Sequence, residues 1–421
     1  MPSVRVRTLA GQVDAAVEVP GSKSIANRAL ICAALADGTS TLHGVPDGDD
    51  VAAMLDCLAA LGVGVGRDGD VVTVVGGRDQ LRGGVTLPTR LAGTTSRFVT
   101  AVAALAPGDI TVDGLPPLRG RPMGPLHDAL AALGAAVTPG ERWGHLPVTV
   151  GGPLRIGGSI ELPGDVSSQY LTALMLIAPY LSGGLALRLT TPLVSRPYLA
   201  ITTAVMAAFG VTDVSVGDEV VRVGEGRYVA GAQVVEPDAS SASYALAIAA
   251  VRGGRVTVAG LGADSVQGDA VFADLLGRMG CEVTRDERGT TVSRAGDLVG
   301  IDVDMADCSD LVPTLAVVAV GASTPTTIGG VGFIRGKESD RIGDLCAELH
   351  RAGVDAVELP DGLRITPSAV RPARLGTHHD HRLAMAFAVL GTAHDGIEVD
   401  DPDVVTKSWP GFWTMLDGLG A

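Results

Sequence analysis

The sequence predicts an α/β protein of two domains, each assembled from three similar units of helices and short strands. Three observations carry this expectation. Apolar residues make up 46% of the 421 positions and charged residues only 19%, enough to bury more than one core. An apolar helical pattern that ends in glycine and runs into a valine-rich stretch recurs six times, as in MLDCLAALGVGV, LHDALAALGAAV and LCAELHRAGVDAV. Its glycines are Gly62, Gly134, Gly210, Gly280, Gly353 and Gly418, spaced 72, 76, 70, 73 and 65 residues apart. That period is too long for the common solenoids, so six units are assigned to two domains of three, with a hinge about halfway.

The elements follow in order. Glycine after each helical stretch suits the left-handed residue that ends a helix. The segments VVTVVGG, ITVDG, LPVTVGG, RVTVAG, TTVSRAG, TTIGGV and LRITP are rich in β-branched residues and flanked by glycine, so they read as strands. Ala and Leu at helical spacing in SIANRALICAALADG and SSASYALAIAAVRGG mark core helices. With 3% aromatic residues and 57 glycines, the cores must be built from Ala, Val and Leu joined by tight turns. The uncharged run from Tyr170 to Leu187 is broken by Pro179, Gly183 and Gly184, which makes it a buried helix and a turn rather than a membrane span.

Composition excludes several functions. A formal charge of −15 disfavours a nucleic-acid or anionic-membrane surface, yet allows a small anion in a locally basic cleft. Five scattered cysteines with no CxxC pair offer neither a disulfide framework nor a zinc ribbon. The first residues lack the apolar core of a signal peptide, so a cytoplasmic protein is expected.

Only three of the 32 basic residues are lysine: Lys23, Lys337 and Lys407. Either they are chance survivors in an arginine-rich composition, or these positions need a compact ammonium that a guanidinium cannot replace. Each lies in one of seven polar clusters. VPGSKSIANRAL places Gly21 to Ser24 just ahead of a helix, and LAGTTSRF does the same with Gly93, Thr94 and Arg97. LRGRPM sets Arg119 and Arg121 before Pro122, a suitable first helical residue. PGDVSSQY stacks Ser167, Ser168 and Gln169 at a helix start, where free amides and hydroxyls suit a phosphoryl group. FIRGKESDRIGDL gathers Arg335, Lys337, Glu338, Asp340 and Arg341. THHDHRLAMAF invites a metal reading, but no second ligand group matches it, and Arg382 would repel a cation. VVTKSWPGF holds Lys407.

Together with SxPY, EPDASSASY and QGD, these motifs closely resemble, over essentially the whole chain and in the same order, those of the 5-enolpyruvylshikimate-3-phosphate synthase family. The resemblance implies an inside-out α/β barrel of two domains, each of three βαβαββ repeats. Residues 21–235 form one domain, residues 1–20 and 236–421 the other, and the active site lies in the interdomain cleft. It further implies transfer of the enolpyruvyl group of phosphoenolpyruvate to the 5-hydroxyl of shikimate 3-phosphate, with release of phosphate. By the same resemblance Lys23, Ser24, Arg28, Ser167, Ser168, Gln169, Ser195, Asp310 and Lys337 hold shikimate 3-phosphate. Lys23, Gly93, Arg121, Gln169, Arg341, Arg382 and Lys407 surround phosphoenolpyruvate. Asp310 is the base, Lys23 a proton donor and Glu338 a proton carrier at the methylene carbon. No metal or organic cofactor takes part, the inhibitor glyphosate occupies the phosphoenolpyruvate site, and a monomer is expected.

Three positions depart from common members: Leu91 for asparagine, Phe98 for proline, and Phe333 for an asparagine that contacts shikimate 3-phosphate. Two alternatives are weighed. UDP-N-acetylglucosamine enolpyruvyl transferase would carry PGSKN and a reactive loop cysteine, whereas Ser24 and a cysteine-free LRGRPMG stand here. A silent repeat scaffold would have lost at least one of Lys23, Asp310, Glu338 or Lys407, and all four are present.

Overall fold

A computed structural model describes residues 2–419 and divides the chain into two compact units, residues 21–235 and residues 1–20 with 236–421. The first unit contains three four-stranded sheets. Their strand orders are Ala232–Val234, Gly38–His43, Val71–Gly76, Gly64–Asp68; Val85–Pro88, Gly108–Asp113, Val148–Gly152, Ala136–Pro139; and Ile156–Leu162, Ser182–Leu189, Val220–Val223, Val214–Val216. In each sheet the first two strands pair in parallel and the remaining pairs are antiparallel. A parallel pair needs a crossover, and in the second and third sheets the buried helix between the two strands supplies it, whereas in the first sheet the buried helix precedes Gly38–His43. These helices are α1 (Lys23–Leu35), α2 (Gly93–Ala103) and α3 (Ser168–Ile177).

The second unit repeats the scheme. One sheet runs Val13–Val17, Gly254–Ala259, Gly289–Arg294, Glu282–Asp286, and a second runs Asp302–Asp304, Thr326–Gly329, Gly362–Thr366, Asp355–Leu359. The third has three strands: Ala373–Leu375, Ile397–Asp400 and, antiparallel to the latter, Ser3–Arg5 from the N-terminal segment. Its buried helices are α4 (Ala239–Arg252), α5 (Val312–Ala319) and α6 (His381–Ala393).

Within each unit the three helices pack on one another and are buried on nearly every side. That explains the stripe-free Ala and Leu composition of α1 and α4, since small side chains let surrounded helices approach closely. The sheets lie outside them and alternate: Val72 and Val74 are fully buried while Val75 is 43% exposed. Each unit is therefore inside-out, with helices at the centre and sheets around them, as the repeats and the family resemblance predict.

The first strands are exchanged. Val13–Val17 precedes α1 in sequence but pairs with Gly254–Ala259, after α4, while Ala232–Val234 precedes α4 and pairs with Gly38–His43, after α1. The chain thus passes from one unit to the other at Pro20–Gly21 and returns at Val235–Glu236. A Cβ at Gly21 would fall 1.8 Å from the Gly44 carbonyl oxygen, so only glycine fits this crossing.

Three local expectations need correction. Five of the six repeat glycines have φ between 84° and 106°, but Gly418 is the last residue of the helix Phe412–Gly418. Lys23, Ser24, Gly93 and Thr94 lie inside the first turns of α1 and α2, and Arg97 one turn further along α2, rather than ahead of them. Pro122 is not the first helical residue, because its helix starts at Gly124. Among the described residues no helix is long and apolar enough to cross a membrane.

Candidate active site

Of the residues singled out from the sequence, Lys23, Ser24, Gly93, Ser167, Ser168, Gln169, Asp310 and Arg382 lie at the starts of the buried helices, while Arg121, Ser195, Lys337, Glu338, Arg341 and Lys407 lie on the connecting turns. In the unit of residues 21–235, Ser22 caps α1 by accepting from the Ile25 amide, which leaves Lys23 and Ser24 in the first turn. Lys23 Nζ lies 3.0 Å from Asp50 Oδ2, and the Asp50 carbonyl accepts from Thr95 Oγ1 on α2 at 2.9 Å. One turn along α2, Arg97 donates to the Gly93 carbonyl at 2.9 Å and to the Pro122 carbonyl at 3.0 Å. This ties the Gly93 turn to the segment that carries Arg121. Gln169, at the start of α3, donates to Thr94 Oγ1 at 3.3 Å. Lys23, Gly93, Arg121 and Gln169 are thereby brought together through α1, α2 and α3.

Ser167 caps α3 by accepting from the Gln169 amide, and Ser168 is buried in its first turn. Ser195 is buried as well and adopts φ 56°, an uncommon left-handed conformation for a residue with a side chain. Arg28 is placed differently from a freely offered cation. Four of its five N–H groups donate to the Ser24 carbonyl, Thr202, Thr172 and the Tyr198 carbonyl, and its guanidinium lies 5.5 Å from the Phe98 ring centre. Burial pulls its pKa down to about 10. Arg28 braces three helices, which leaves it one N–H, and Phe98 is core packing beneath it rather than part of the exposed loop at Leu91.

The second group is denser. Asp310 sits in the turn Ser309–Leu311 just before α5. Its Oδ1 accepts from Arg341 Nη1 at 2.8 Å and its Oδ2 from Arg382 Nη2 at 2.7 Å, with Lys337 Nζ 3.9 Å away. Arg341, fully buried, also donates to Glu338 Oε2 at 2.8 Å and from Nε to Asp380 Oδ2 at 2.7 Å. Burial alone would raise the Asp310 carboxyl, but Arg382, Lys337 and Arg341 outweigh it and hold it far below the usual carboxylate range. Burial likewise opposes the charge on Arg341, yet Asp380, Glu338 and Asp310 raise its pKa. Lys337 lies 5.9 Å from the Phe333 ring centre, so that departure supplies a cation–π contact where a polar side chain would sit. Lys407, last residue of the turn Pro402–Lys407, is buried.

Three residues in these groups were not picked out as functional from the sequence. Asp50 holds Lys23 from 27 positions away, a pairing that no local pattern announces. Asp380 was weighed only as a metal ligand, but it caps α6 through the Arg382 amide and binds Arg341. Its neighbouring histidines turn to other partners, His378 to Glu348 at 2.8 Å and His379 to Asp401 at 3.3 Å. Asp269, from the QGD motif, accepts from Ser240 at the start of α4. All five thiols are buried, and burial pushes Cys32, Cys57, Cys308 and Cys346 up to about 12 and Cys281 to about 11, so none is poised as a nucleophile.

The repeated inside-out α/β units define an enolpyruvyl-transferase-like fold. An enolpyruvyl transferase from Streptomyces tendae shares this fold with a TM-score of 0.80 over 100% of this chain and 97% of its own, at 18% identity. Residues 8–416 match the EPSP synthase (3-phosphoshikimate 1-carboxyvinyltransferase) family, and the chain belongs to it. It is 42% identical to the 3-phosphoshikimate 1-carboxyvinyltransferase of Nostoc punctiforme over 99% of both chains, and 43% identical to that of Methanosphaerula palustris over 97% and 98%. The EPSP synthase structure from Acinetobacter baumannii superposes with a TM-score of 0.82 at 26% identity, covering 99% and 98%. The chain is accordingly a transferase of the shikimate pathway.

Proposed function

We propose that the protein transfers the enolpyruvyl group of phosphoenolpyruvate to the 5-hydroxyl of shikimate 3-phosphate through a tetrahedral intermediate, with the residues above in defined roles. Ser24, Ser167, Ser168, Ser195, Gln169, Lys337 and the remaining N–H of Arg28 hold shikimate 3-phosphate. Lys23, Gly93, Arg121, Gln169, Arg341, Arg382 and Lys407 receive phosphoenolpyruvate.

The observation that carries this reading is the position of Asp310 between Arg341 and Arg382. Clamped by two guanidiniums, Asp310 is a weak base. An incoming carboxylate or phosphate competes for the same guanidiniums, withdraws their charge from Asp310 and raises its basicity as the second substrate arrives. The hydroxyl proton then passes to Asp310 as the oxygen attacks C2. Lys23, steadied by Asp50, donates to the bridging phosphate oxygen, and Glu338 delivers the proton to the methylene carbon. Collapse of the intermediate returns that proton and expels phosphate, while the arginines hold the charge as it moves.

Phosphate release measured with both substrates, against each alone, tests the reaction. Release with UDP-N-acetylglucosamine in place of shikimate 3-phosphate would instead favour the related transferase. We assign the reaction to the cytoplasm, where free, buried cysteines suit the reducing conditions.

A further inference from the structure

The QGD stretch has no role in the steps above, yet it is held with care. Gln267 Oε1 accepts from the Ala239 amide at 3.1 Å, and its Nε2 donates to the Pro237 carbonyl at 2.7 Å and to Glu236 Oε1 at 3.0 Å. This clamp fixes the turn Gly268–Val271 against the start of α4. It sets the buried Asp269 beside Ser240, whose hydroxyl donates to Asp269 Oδ2. Ser240 Oγ also lies 3.4 Å from Arg382 Nη2, the nitrogen that donates to Asp310 at 2.7 Å. Three contacts therefore lead from Asp269 through Ser240 and Arg382 to Asp310.

We propose that Asp269 is a positioning residue for the reaction: by holding the Ser240 hydroxyl it divides Arg382 Nη2 between Ser240 and Asp310, and its charge sets how much of the Arg382 cation remains for phosphoenolpyruvate. This rests on the function proposed above. The charged and titratable groups that face Asp269 are Asp310, Arg382, Asp238 and Cys308. Burial, then Asp310, pushes the Asp269 carboxyl up to about 7, against the opposing pull of Arg382 and the Ser240 hydrogen bond. The Cys308 thiol, pushed up to about 12 by burial and then by Asp269, stays neutral throughout. Asp269 thus changes charge inside the working range. Ionised, it offsets part of the Arg382 charge, which weakens the hold on phosphoenolpyruvate and makes Asp310 a stronger base. Protonated, it leaves the cation whole and Asp310 a weaker base.

KM for phosphoenolpyruvate and kcat should therefore both rise with pH through about 7 in the wild type. Asp269→Asn keeps an acceptor for Ser240 but stays neutral. It should retain the low KM at pH 8 and forgo the gain in kcat, each by about threefold to tenfold, the size of a coupling of up to one pKa unit. The substrates' own phosphates titrate near pH ~6, and the ratio of variant to wild type at each pH cancels them. A KM ratio that stays constant from pH 6 to 8, with a wild type that turns over, overturns the role of Asp269. A wild type that releases no phosphate counts against the reaction itself. Should Asp269→Asn fail to fold, Ser240→Ala carries the test. Loss of that hydrogen bond raises the Asp269 pKa, so the midpoint of the KM profile should move to higher pH, and an unmoved midpoint overturns the proposal.

Discussion

Lys23 Nζ donates to the carboxylate of Asp50 across 3.0 Å, and the Asp50 side chain is only 4% exposed. A buried carboxylate of this kind restricts a flexible ammonium to one direction while keeping it charged. Asp50→Ala should release Lys23 from that direction and lower kcat by about 10- to 100-fold, within the ~1.5–3 kcal/mol of a hydrogen bond to a charged group. Lys23→Arg should fare no better, since a planar guanidinium cannot fill the same position. Steady-state kinetics on both variants checks this, and an Asp50→Ala enzyme with unchanged kcat would remove Asp50 from the site.

The second helix of each of the first five units was legible because it runs into a glycine in the left-handed region, and the buried helices α1 and α4 were legible from Ala and Leu at helical spacing. The polar clusters were legible because they fall at helix starts. What the sequence did not reveal are partners set by the sheets. The family resemblance already implied that residues 1–20 belong with 236–421, but that Val13–Val17 and Ala232–Val234 are the strands which pair across this exchange comes from the sheets alone. Asp50 and Asp269 look like ordinary surface aspartates, since a helix start or a turn usually carries one. Only tertiary packing sets Asp50 against Lys23 and Asp269 against Ser240. The sixth unit misled for a similar reason: its sheet is completed by Ser3–Arg5, the far end of the chain.

Asp310 gives the protein a pH-dependent element of stability. Its carboxyl is held below its unfolded value by Arg382, Lys337 and Arg341, so its contribution is complete above pH ~4 and is lost as the pH falls further. Asp310→Asn should cost about 1–3 kcal/mol at pH 7 by leaving Arg341 and Arg382 short of one negative partner. The gap in thermal stability between wild type and variant should narrow towards acid, and a gap independent of pH would show that Asp310 does not titrate in this way. Catalytically, Asp310→Ala should lower kcat without weakening phosphoenolpyruvate binding, since it frees Arg341 and Arg382, whereas Ser168→Ala should weaken shikimate 3-phosphate binding by about 1–3 kcal/mol and leave chemistry largely intact.

Ser195 separates binding from backbone strain. At φ 56° it occupies a conformation that glycine adopts freely and alanine does not. Ser195→Gly should therefore be at least as stable as wild type, by up to ~1 kcal/mol, while Ser195→Ala should not be. Both lose the hydroxyl and should bind shikimate 3-phosphate more weakly. Calorimetric unfolding beside ligand titration distinguishes the two effects, and an Ser195→Gly variant that binds like wild type would take the hydroxyl out of the site.

Gly93 lies against Arg121, an arginine proposed to receive phosphoenolpyruvate. A Cβ at Gly93 would lie 2.6 Å from Arg121 Nη1 and 2.9 Å from Arg97 Nη1, closer than any real contact allows. Arg97 is buried and committed to the Gly93 and Pro122 carbonyls, so it cannot yield easily. Arg121 presents the end of its side chain and is the group that must move. Gly93→Ala therefore displaces an arginine proposed for phosphoenolpyruvate and adds a methyl group beside the position the family resemblance gives to glyphosate. Both ligands should bind more weakly, with phosphoenolpyruvate losing about tenfold, ~1.4 kcal/mol, for a disturbed charged hydrogen bond. Glyphosate, the longer molecule, should lose more, because it meets the methyl group in addition to the shifted guanidinium. Inhibition constants set beside the phosphoenolpyruvate KM for both enzymes measure the two losses. An equal loss for both would make displacement of Arg121 the whole effect, and an unchanged phosphoenolpyruvate KM would show that Arg121 moves without cost.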